Sequence, residues 1–401
     1  MIPTLDQVKE AKASFPSWIQ HTRLLPVQIP GCEAQSYVKT ECLQRTGAFK
    51  VRGAYNRMRM LTEEEKKAGV IASSAGNHAQ GVALAAREMG IKATIVMPQF
   101  APLSKVNATR ALGAEVVLHG EIYDDAYAYA RELEKTTGAT FIHPYDDPMV
   151  IAGQGTISLE IFEDLPDVDV ILVPVGGGGL AAGVAMAAKS INPLVRVYGV
   201  EPAGAASMKK ALQAGHPEPL ERVKSFADGV TVRRVGDTSF AMCKQYLDGI
   251  LTVDDDETAA AILWMIEKNK IVMEGAGALP VATLMHGTLD FSGKKVVAVV
   301  SGGNIDVNTI SRIIERGLIK TGRRTTLATT VQDRPGQLAR LVEAVAAQGV
   351  NVLSINHDRN RSRLELGEAQ VELVLETNDR DHIARIKGSL EKLGYEVEEI
   401  D

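Results

Sequence analysis

Short apolar runs that break into small polar residues set the pattern of this chain from residue 70 onward. Val70-Ile71-Ala72 gives way to Ser73-Ser74-Ala75-Gly76-Asn77-His78, and Val82-Ala83-Leu84-Ala85-Ala86 follows as a helix. Strands are expected again at 93–97, 115–118 and 140–142, with helices at 103–112 and 123–137 between them. A second series places strands at 169–174, 195–200 and 295–300 and helices at 180–190, 257–268 and 278–286. Alternation of this kind predicts an α/β protein whose parallel sheets carry helices on both faces. Two series predict two subdomains with a cleft between them, the smaller at about 54–150, inserted in the larger.

The pattern changes near residue 320. Residues 316–324 are polar and contain glycine, and read as a linker. The body is placed at 1–320, the joint at 321–325 and a separate module at 326–401. Within that module, strands are expected at 326–331, 349–352, 369–376 and 396–400, and helices at 337–348 and 382–393. Leu338, Leu341, Val342 and Val345 fall on one face of the first helix. Charge supports the division: residues 325–401 carry 9 Lys and Arg against 14 Asp and Glu, and the first 324 residues carry 35 against 36.

Composition narrows the function classes. The 401 residues are 45% hydrophobic and 23% charged, ordinary for a globular protein of two or three domains. A net charge of -6 argues against nucleic acid as a partner. No apolar run approaches the roughly 20 residues of a membrane span, and the first residues lack a basic and then apolar leader. Cys32, Cys42 and Cys243 are odd in number and lack metal spacing, as expected of reduced thiols in a cytoplasmic protein.

The candidate chemistry begins at Lys50, in Gly47-Ala48-Phe49-Lys50-Val51. A lysine in a mixed segment is ordinarily a solvated charge. An ammonium among neutral and apolar neighbours, however, is easier to deprotonate, and a neutral amine attacks an aldehyde to form a Schiff base. Three strand ends supply glycine-bearing turns. They are Ser73-Ser74-Ala75-Gly76-Asn77-His78, then Gly176-Gly177-Gly178-Gly179-Leu180 after Val170-Ile171-Leu172-Val173-Pro174-Val175, then Ser301-Gly302-Gly303-Asn304 after Val296-Val297-Ala298-Val299-Val300. Helix N-termini with such turns present amides to an anion, and glycines let a phosphate approach the backbone.

These four segments, in this order, resemble the threonine/serine dehydratases of the tryptophan-synthase-β-like pyridoxal phosphate enzymes, over roughly residues 5–318. The resemblance implies the two-subdomain fold type II and pyridoxal 5'-phosphate as cofactor, attached to Lys50. It implies that Phe49 lies on a face of the cofactor ring, that Gly176, Gly177, Gly178, Gly179 and Leu180 hold its phosphate, that Asn77 meets its ring oxygen, and that Ser301 meets its ring nitrogen. Ser73, Ser74, Ala75, Gly76, Asn77 and His78 would hold the carboxylate of a small amino-acid substrate; for His78 a structural role at the helix start is the alternative. The implied reaction is β-elimination of L-threonine to 2-oxobutanoate and ammonia, and of L-serine to pyruvate. The C-terminal βαββαβ order resembles the ACT domain, which binds amino acids between paired copies. An effector would meet Asp333, Pro335, Gly336 and Asn351 in a homo-oligomer, a dimer or tetramer; a module used only for assembly is the alternative.

Three departures bear on the reading. Serine racemases of the family place a serine acid/base where this chain has Ala75, so elimination is expected over racemisation. Their divalent-cation site follows a Val-Glu-Pro segment. Here Glu201 and Ala205 are kept and Ser207 stands at the third ligand position instead of a carboxylate, which favours a monovalent cation or none. Near the N-terminus the family's Thr-Pro-Leu is Thr22-Arg23-Leu24, and no physical account of that change is at hand. Rival functions are a dehydratase for 3-hydroxyaspartate, which needs a cationic side chain near the β-substituent, absent from the turn 73–81 but available from a loop such as 225–234, and a catalytically silent amino-acid sensor.

Overall fold

The structure, a computed structural model, describes residues 2–400 apart from 288, 362 and 363. It divides into two compact units, residues 1–305 and 306–401. Among the described residues, ten strands lie in the first unit: β1 (Leu24–Val27), β2 (Gln35–Lys39), β3 (Val70–Ser73), β4 (Ala93–Met97), β5 (Glu115–Leu118), β6 (Thr140–Phe141), β7 (Val170–Pro174), β8 (Arg196–Pro202), β9 (Gly249–Val253) and β10 (Lys295–Val299). They form two sheets. The larger runs β1-β2-β10-β7-β8-β9 and the smaller β5-β4-β3-β6. Every pairing is parallel except β1 with β2.

Continuous apolar runs make these strands because both sheet faces are covered. All five residues of β7 are buried. Helices Pro148–Asp164, Gly179–Ile191 and Gly275–His286 are buried along most of their length. The first of these begins sharply: Pro148 stands at its first turn and the Asp147 carboxylate accepts the amides of Met149 and Val150 at 2.7 and 3.0 Å. Helices 148–164 and 179–191 pack almost backbone to backbone. A Cβ on Gly183 would collide with the Ile151 carbonyl, and one on Gly155 would stand 2.9 Å from the Gly183 carbonyl.

Strands β1, β2 and β9 and the helix Pro148–Asp164 fall outside the elements that the apolar pattern predicts. Pro26 sits in β1, and β2 reads Gln-Ser-Tyr-Val-Lys, with a lysine that no burial pattern anticipates. Lys39 is nevertheless fully buried. Its ammonium donates to the Thr22 carbonyl and to Glu160 Oε2, both at 2.6 Å. Glu160 also accepts from Arg52 Nη1 and Nη2 at 2.6 and 2.8 Å. On its other side Arg52 holds Glu41 in a two-pronged pair, Nε to Oε2 at 2.7 Å and Nη2 to Oε1 at 2.8 Å. Thr156 Oγ1 and the Gln20 carbonyl accept further bonds from the guanidinium. Burial opposes the charge on Arg52, but Glu41 and Glu160 outweigh it and hold the group firmly protonated. Burial likewise pushes Glu160 up, and Arg52 and Lys39 bring it back below the usual carboxylate range.

The second unit opens with helix Val307–Lys320. The stretch expected as a linker from residue 316 therefore continues a helix for five residues. The charged cluster masks an apolar face at Ile310, Ile313 and Ile314, of which Ile313 is buried. Four strands follow, β11 (Arg324–Gln332), β12 (Asn351–Asp358), β13 (Glu368–Glu376) and β14 (Val397–Glu399), in the antiparallel order β12-β13-β11-β14. Helices Gln337–Ala346 and Arg380–Lys392 lie between strands in sequence, which gives the βαββαβ order of an ACT-like domain. Leu341, Val345, Ile386 and Leu390 from the helices share a core with Leu327, Val371, Leu373 and Leu375 of the sheet. Among the described residues, no helix is long and apolar enough to cross a membrane.

Arg52→Met should leave Glu41 and Glu160 buried with too few partners. Urea unfolding of the cofactor-free protein is expected to show a loss of about 3–5 kcal/mol, the usual cost of removing one partner from a buried ion pair. A change below about 1 kcal/mol would show that the cluster is not buried as described.

Candidate active site

Lys50 opens the helix Lys50–Arg59, with Phe49 at its N-cap. The segment before it is pinned to the turn after β10. Ala48 and Gly302 form an isolated antiparallel bridge, the Phe49 amide donates to the Ser301 carbonyl at 3.0 Å, and the Gly303 amide donates to the Gly47 carbonyl at 2.8 Å. Lys50 Nζ donates to the Pro144 carbonyl at 2.6 Å and stands 5.2 Å from the centre of the Phe49 ring. The residue keeps some exposure, but its amine is enclosed. Burial draws its pKa down from 10.5 to about 8, with Glu274 pulling weakly the other way. A substantial fraction of the amine is therefore neutral near pH 8.

The tetraglycine turn leaves β7 and opens helix Gly179–Ile191. Only glycine fits there. A Cβ on Gly177 would enter the Tyr145 ring, one on Gly179 would meet the Tyr145 carbonyl, and Gly178 has φ +99°. Among the described residues, the amides of Gly177, Gly178 and Gly179 donate to no backbone carbonyl. Unpaired amides at a helix start are the donor set that a phosphate requires.

The turn after β3 supplies the third wall. Gly76 is the N-cap of helix Asn77–Met89, and a Cβ on it would meet nothing within 4 Å. The Ser74 hydroxyl accepts from the Gly76 amide at 3.1 Å. The Ser73 hydroxyl is buried, with no hydrogen-bond partner among the described residues. His78 is 3% exposed, and its Nε2 meets the Ile142 carbonyl at 2.8 Å. A carbonyl only accepts, so Nε2 carries the proton and Nδ1, which has no partner, is an acceptor. Burial first, then Lys50, pushes the His78 pKa down to about 3, so the ring is neutral. Ser301 is 2% exposed at the end of β10, and Leu180 and Phe49 are 7% and 9% exposed.

Four residues at this site lie outside the motifs' assigned roles: Pro144, Tyr145, Glu274 and Asn304. Pro144 and Tyr145 sit in His143-Pro144-Tyr145-Asp146, between β6 and helix Pro148–Asp164. His143 Nδ1 accepts the amides of Tyr145 and Asp146 at 3.2 and 2.8 Å. Asp146 in turn accepts the amides of Asp237 and Ser239 at 3.0 and 2.9 Å. The available sequence signal was a polar turn placed just before the Asp147-Pro148 helix start. Glu274 carries no motif. Its Oε1 accepts from Asn77 Nδ2 at 2.7 Å, and burial pushes its pKa up to about 7.

The remaining candidates lie elsewhere. Glu201 accepts the amides of Met208 and Lys209 at 2.7 and 2.9 Å. Its carboxylate therefore caps the helix Ser207–Ala214. Ala205 and Ser207 beside it are fully buried, the Ser207 hydroxyl without a hydrogen bond of good geometry. Among the described residues, no three His, Cys, Asp or Glu gather as a metal site. In the second unit, Asp333 accepts from Arg359 at 2.7 Å, Gly336 opens helix Gln337–Ala346 with φ +89°, and Asn351 donates to Glu376 at 3.1 Å.

An enclosed amine that can be neutral, unpaired glycine amides and a buried serine at a strand end fit pyridoxal phosphate as the group held here. Comparison with known proteins agrees. The profile of the pyridoxal-phosphate dependent enzymes matches residues 18–302, and that of the ACT domain matches residues 325–395. The chain is similar to an L-threonine ammonia-lyase of Thermotoga maritima, 51% identical over 398 residues, or 98% of each chain. Among solved structures, the processed form of threonine deaminase isoform 2 from Solanum lycopersicum has a TM-score of 0.73 at 41% identity, over 78% of this chain and 92% of that one. A maize serine racemase has a TM-score of 0.74 at 33% identity, over 80% and 99%.

A carbon-13 NMR titration of the Lys50 ε-methylene in cofactor-free protein, assigned against Lys50→Met, is expected to show a midpoint near pH 8. Between about 8 and 10.5 the unfolded chain holds a proton at this lysine that the native protein lacks. Its contribution to stability therefore rises with pH through that window. A midpoint at the ordinary lysine value of about 10.4 would show that the amine is solvated.

Proposed function

Because this chain belongs to the pyridoxal-phosphate-dependent enzymes and ends in an ACT domain, we propose that it is an ammonia-lyase converting L-threonine to 2-oxobutanoate and ammonia, with L-serine giving pyruvate. The observation that carries this reading is the enclosed Lys50 amine, set where the three glycine-bearing turns converge. Bound pyridoxal phosphate supplies an electron-withdrawing ring that acidifies the substrate Cα.

The chain's own groups do the rest. The amides of Gly177, Gly178 and Gly179 would hold the phosphate at the start of a helix. Phe49 would pack against the ring, and Ser301 would meet its nitrogen with a hydroxyl. A hydroxyl leaves that nitrogen less positive than a carboxylate partner would, which suits departure of the β-hydroxyl as the Cα proton leaves. The Ser73–His78 turn takes the substrate carboxylate at the start of helix Asn77–Met89. Lys50 would take the Cα proton and pass it to the β-hydroxyl, which leaves as water. The released product tautomerises and hydrolyses in water to the keto acid and ammonia.

Ala75 separates this reading from the racemase reading, since a methyl group cannot carry a proton to the second face of Cα. No arginine stands in the turn 73–81 to favour a substrate with a β-carboxylate. A cation at Glu201 is an optional addition, because both carboxylate oxygens already cap a helix. We place the enzyme in the cytoplasm as a homo-oligomer, with a free amino acid held near Asp333, Pro335, Gly336 and Asn351 as its effector.

A keto-acid assay is expected to show 2-oxobutanoate from L-threonine, and none from Lys50→Ala. Chiral analysis should find pyruvate from L-serine with little D-serine, and Ala75→Ser should raise the D-serine share. Equal D-serine and pyruvate from the unaltered enzyme would overturn the elimination reading.

Calorimetry with L-isoleucine and L-valine tests the second unit. Binding should change the threonine response by about 5- to 150-fold in apparent affinity, the usual span of allosteric coupling. Absence of heat for any free amino acid, with unchanged kinetics, would reduce the unit to an assembly module.

A further inference from the structure

The last residue of Ser301-Gly302-Gly303-Asn304 takes no part in the roles described above, and neither does Glu274. Both touch Asn77. Asn304 Nδ2 donates to the Thr46 carbonyl at 2.7 Å and to Asn77 Oδ1 at 2.8 Å, and Asn77 Nδ2 donates to Glu274 Oε1 at 2.7 Å. The direction of this chain is set at its first member. A backbone carbonyl can only accept, so Asn304 must turn its nitrogen to Thr46. That same nitrogen faces Asn77, which must therefore present its oxygen. The Asn77 nitrogen is left for Glu274, which offers an acceptor oxygen whether ionised or not.

We propose that Asn304 and Glu274 are positioning residues that lock the Asn77 carboxamide in one of its two flips, leaving the second N–H of its nitrogen to donate to the ring oxygen of the cofactor. The proposal rests on the reading of the chain as a pyridoxal phosphate enzyme. In the opposite flip Asn77 would set a carbonyl oxygen against a ring oxygen, and the two would repel. An isolated asparagine has no strong preference between flips; here the preference comes from two side chains on other segments.

Two glycines make room for the clamp. A Cβ on Gly47, whose φ is +70°, would collide with Asn304 Oδ1, and a Cβ on Gly302 would collide with Glu274 Oε1. The Glu274 backbone is tied to the same turn, its amide donating to the Gly302 carbonyl at 3.0 Å. Gly47 and Gly302 thus leave the space that Asn304 and Glu274 fill.

The test compares Asn304→Asp, Glu274→Leu and Glu274→Gln with the unaltered full chain. Asn304→Asp keeps the shape but replaces the donor by an acceptor. Glu274→Leu removes the acceptor, and Glu274→Gln restores one. The readouts are the pyridoxal phosphate dissociation constant, the position of the visible absorption band and the thermal midpoint of the cofactor-free protein. Asn304→Asp and Glu274→Leu should each weaken cofactor binding by about tenfold or more, the scale of a lost hydrogen bond in an enclosed site, and move the band. Glu274→Gln should stay within about threefold, and the loss of cofactor affinity in Asn304→Asp and Glu274→Leu should exceed what any fall in their cofactor-free midpoints accounts for. The inference is overturned if Asn304→Asp and Glu274→Leu bind as the unaltered protein does, or if their losses only follow a fall in the cofactor-free midpoint. Failure of the unaltered chain to take up pyridoxal phosphate is a different result, since it overturns the functional reading itself.

Discussion

The guanidinium of Arg52, buried between Glu41 and Glu160, is the constraint on which the geometry of the first unit rests. It stands two residues beyond Lys50 in the same helix, so whatever fixes Arg52 also fixes where Lys50 stands. Glu41 follows β2, Glu160 lies in helix Pro148–Asp164, and Lys39 ends β2. Four charges thereby tie one strand to two helices at a single point. Apolar side chains could fill the same volume at no greater cost. They would not demand one register, because dispersion contacts tolerate sliding and rotation that a two-pronged guanidinium–carboxylate pair does not.

A second constraint is the close approach of backbones. Helices Pro148–Asp164 and Gly179–Ile191 meet through glycines, and the tetraglycine turn lies against Tyr145 with no space for a Cβ. The tetraglycine turn is therefore held from behind by the His143–Asp146 segment, which also supplies the carbonyl that meets Lys50. Asp146 bonds across to the start of helix Asp237–Tyr246, so a carboxylate with no chemical role joins the walls of the site. The neutral histidines follow the same logic. His78 and His143 are enclosed beside a lysine, and burial keeps both uncharged where a second positive charge would be costly.

The second unit is built on different principles. Its sheet is antiparallel, its helices contribute only part of their surface to the core, and β12 is exposed along much of its length. An exposed edge strand is a place where a second chain can pair. The body is the reverse, a frame that encloses one amine.

What could be read from the chain alone followed from short-range signals. Period-two and continuous apolar runs located β3, β4, β5, β7 and β10, and glycine clusters at their ends located the turns, because those features are written in adjacent residues. Lys50 stood out by its neutral neighbours, and the βαββαβ order by its spacing. Only the tertiary structure decided the rest. Strand β2 depends on its partners rather than on its own hydrophobicity, as Lys39 shows. The helix Val307–Lys320 runs into the expected linker, because its charges mask an apolar face at Ile310, Ile313 and Ile314. Glu274 and Asn304 could not be assigned, since their meaning is a contact with Asn77 across about 200 residues of chain. Local sequence determines which conformations a segment prefers. It does not determine which distant polar group shares its enclosed space, and that sharing sets protonation, amide orientation and the burial of charge.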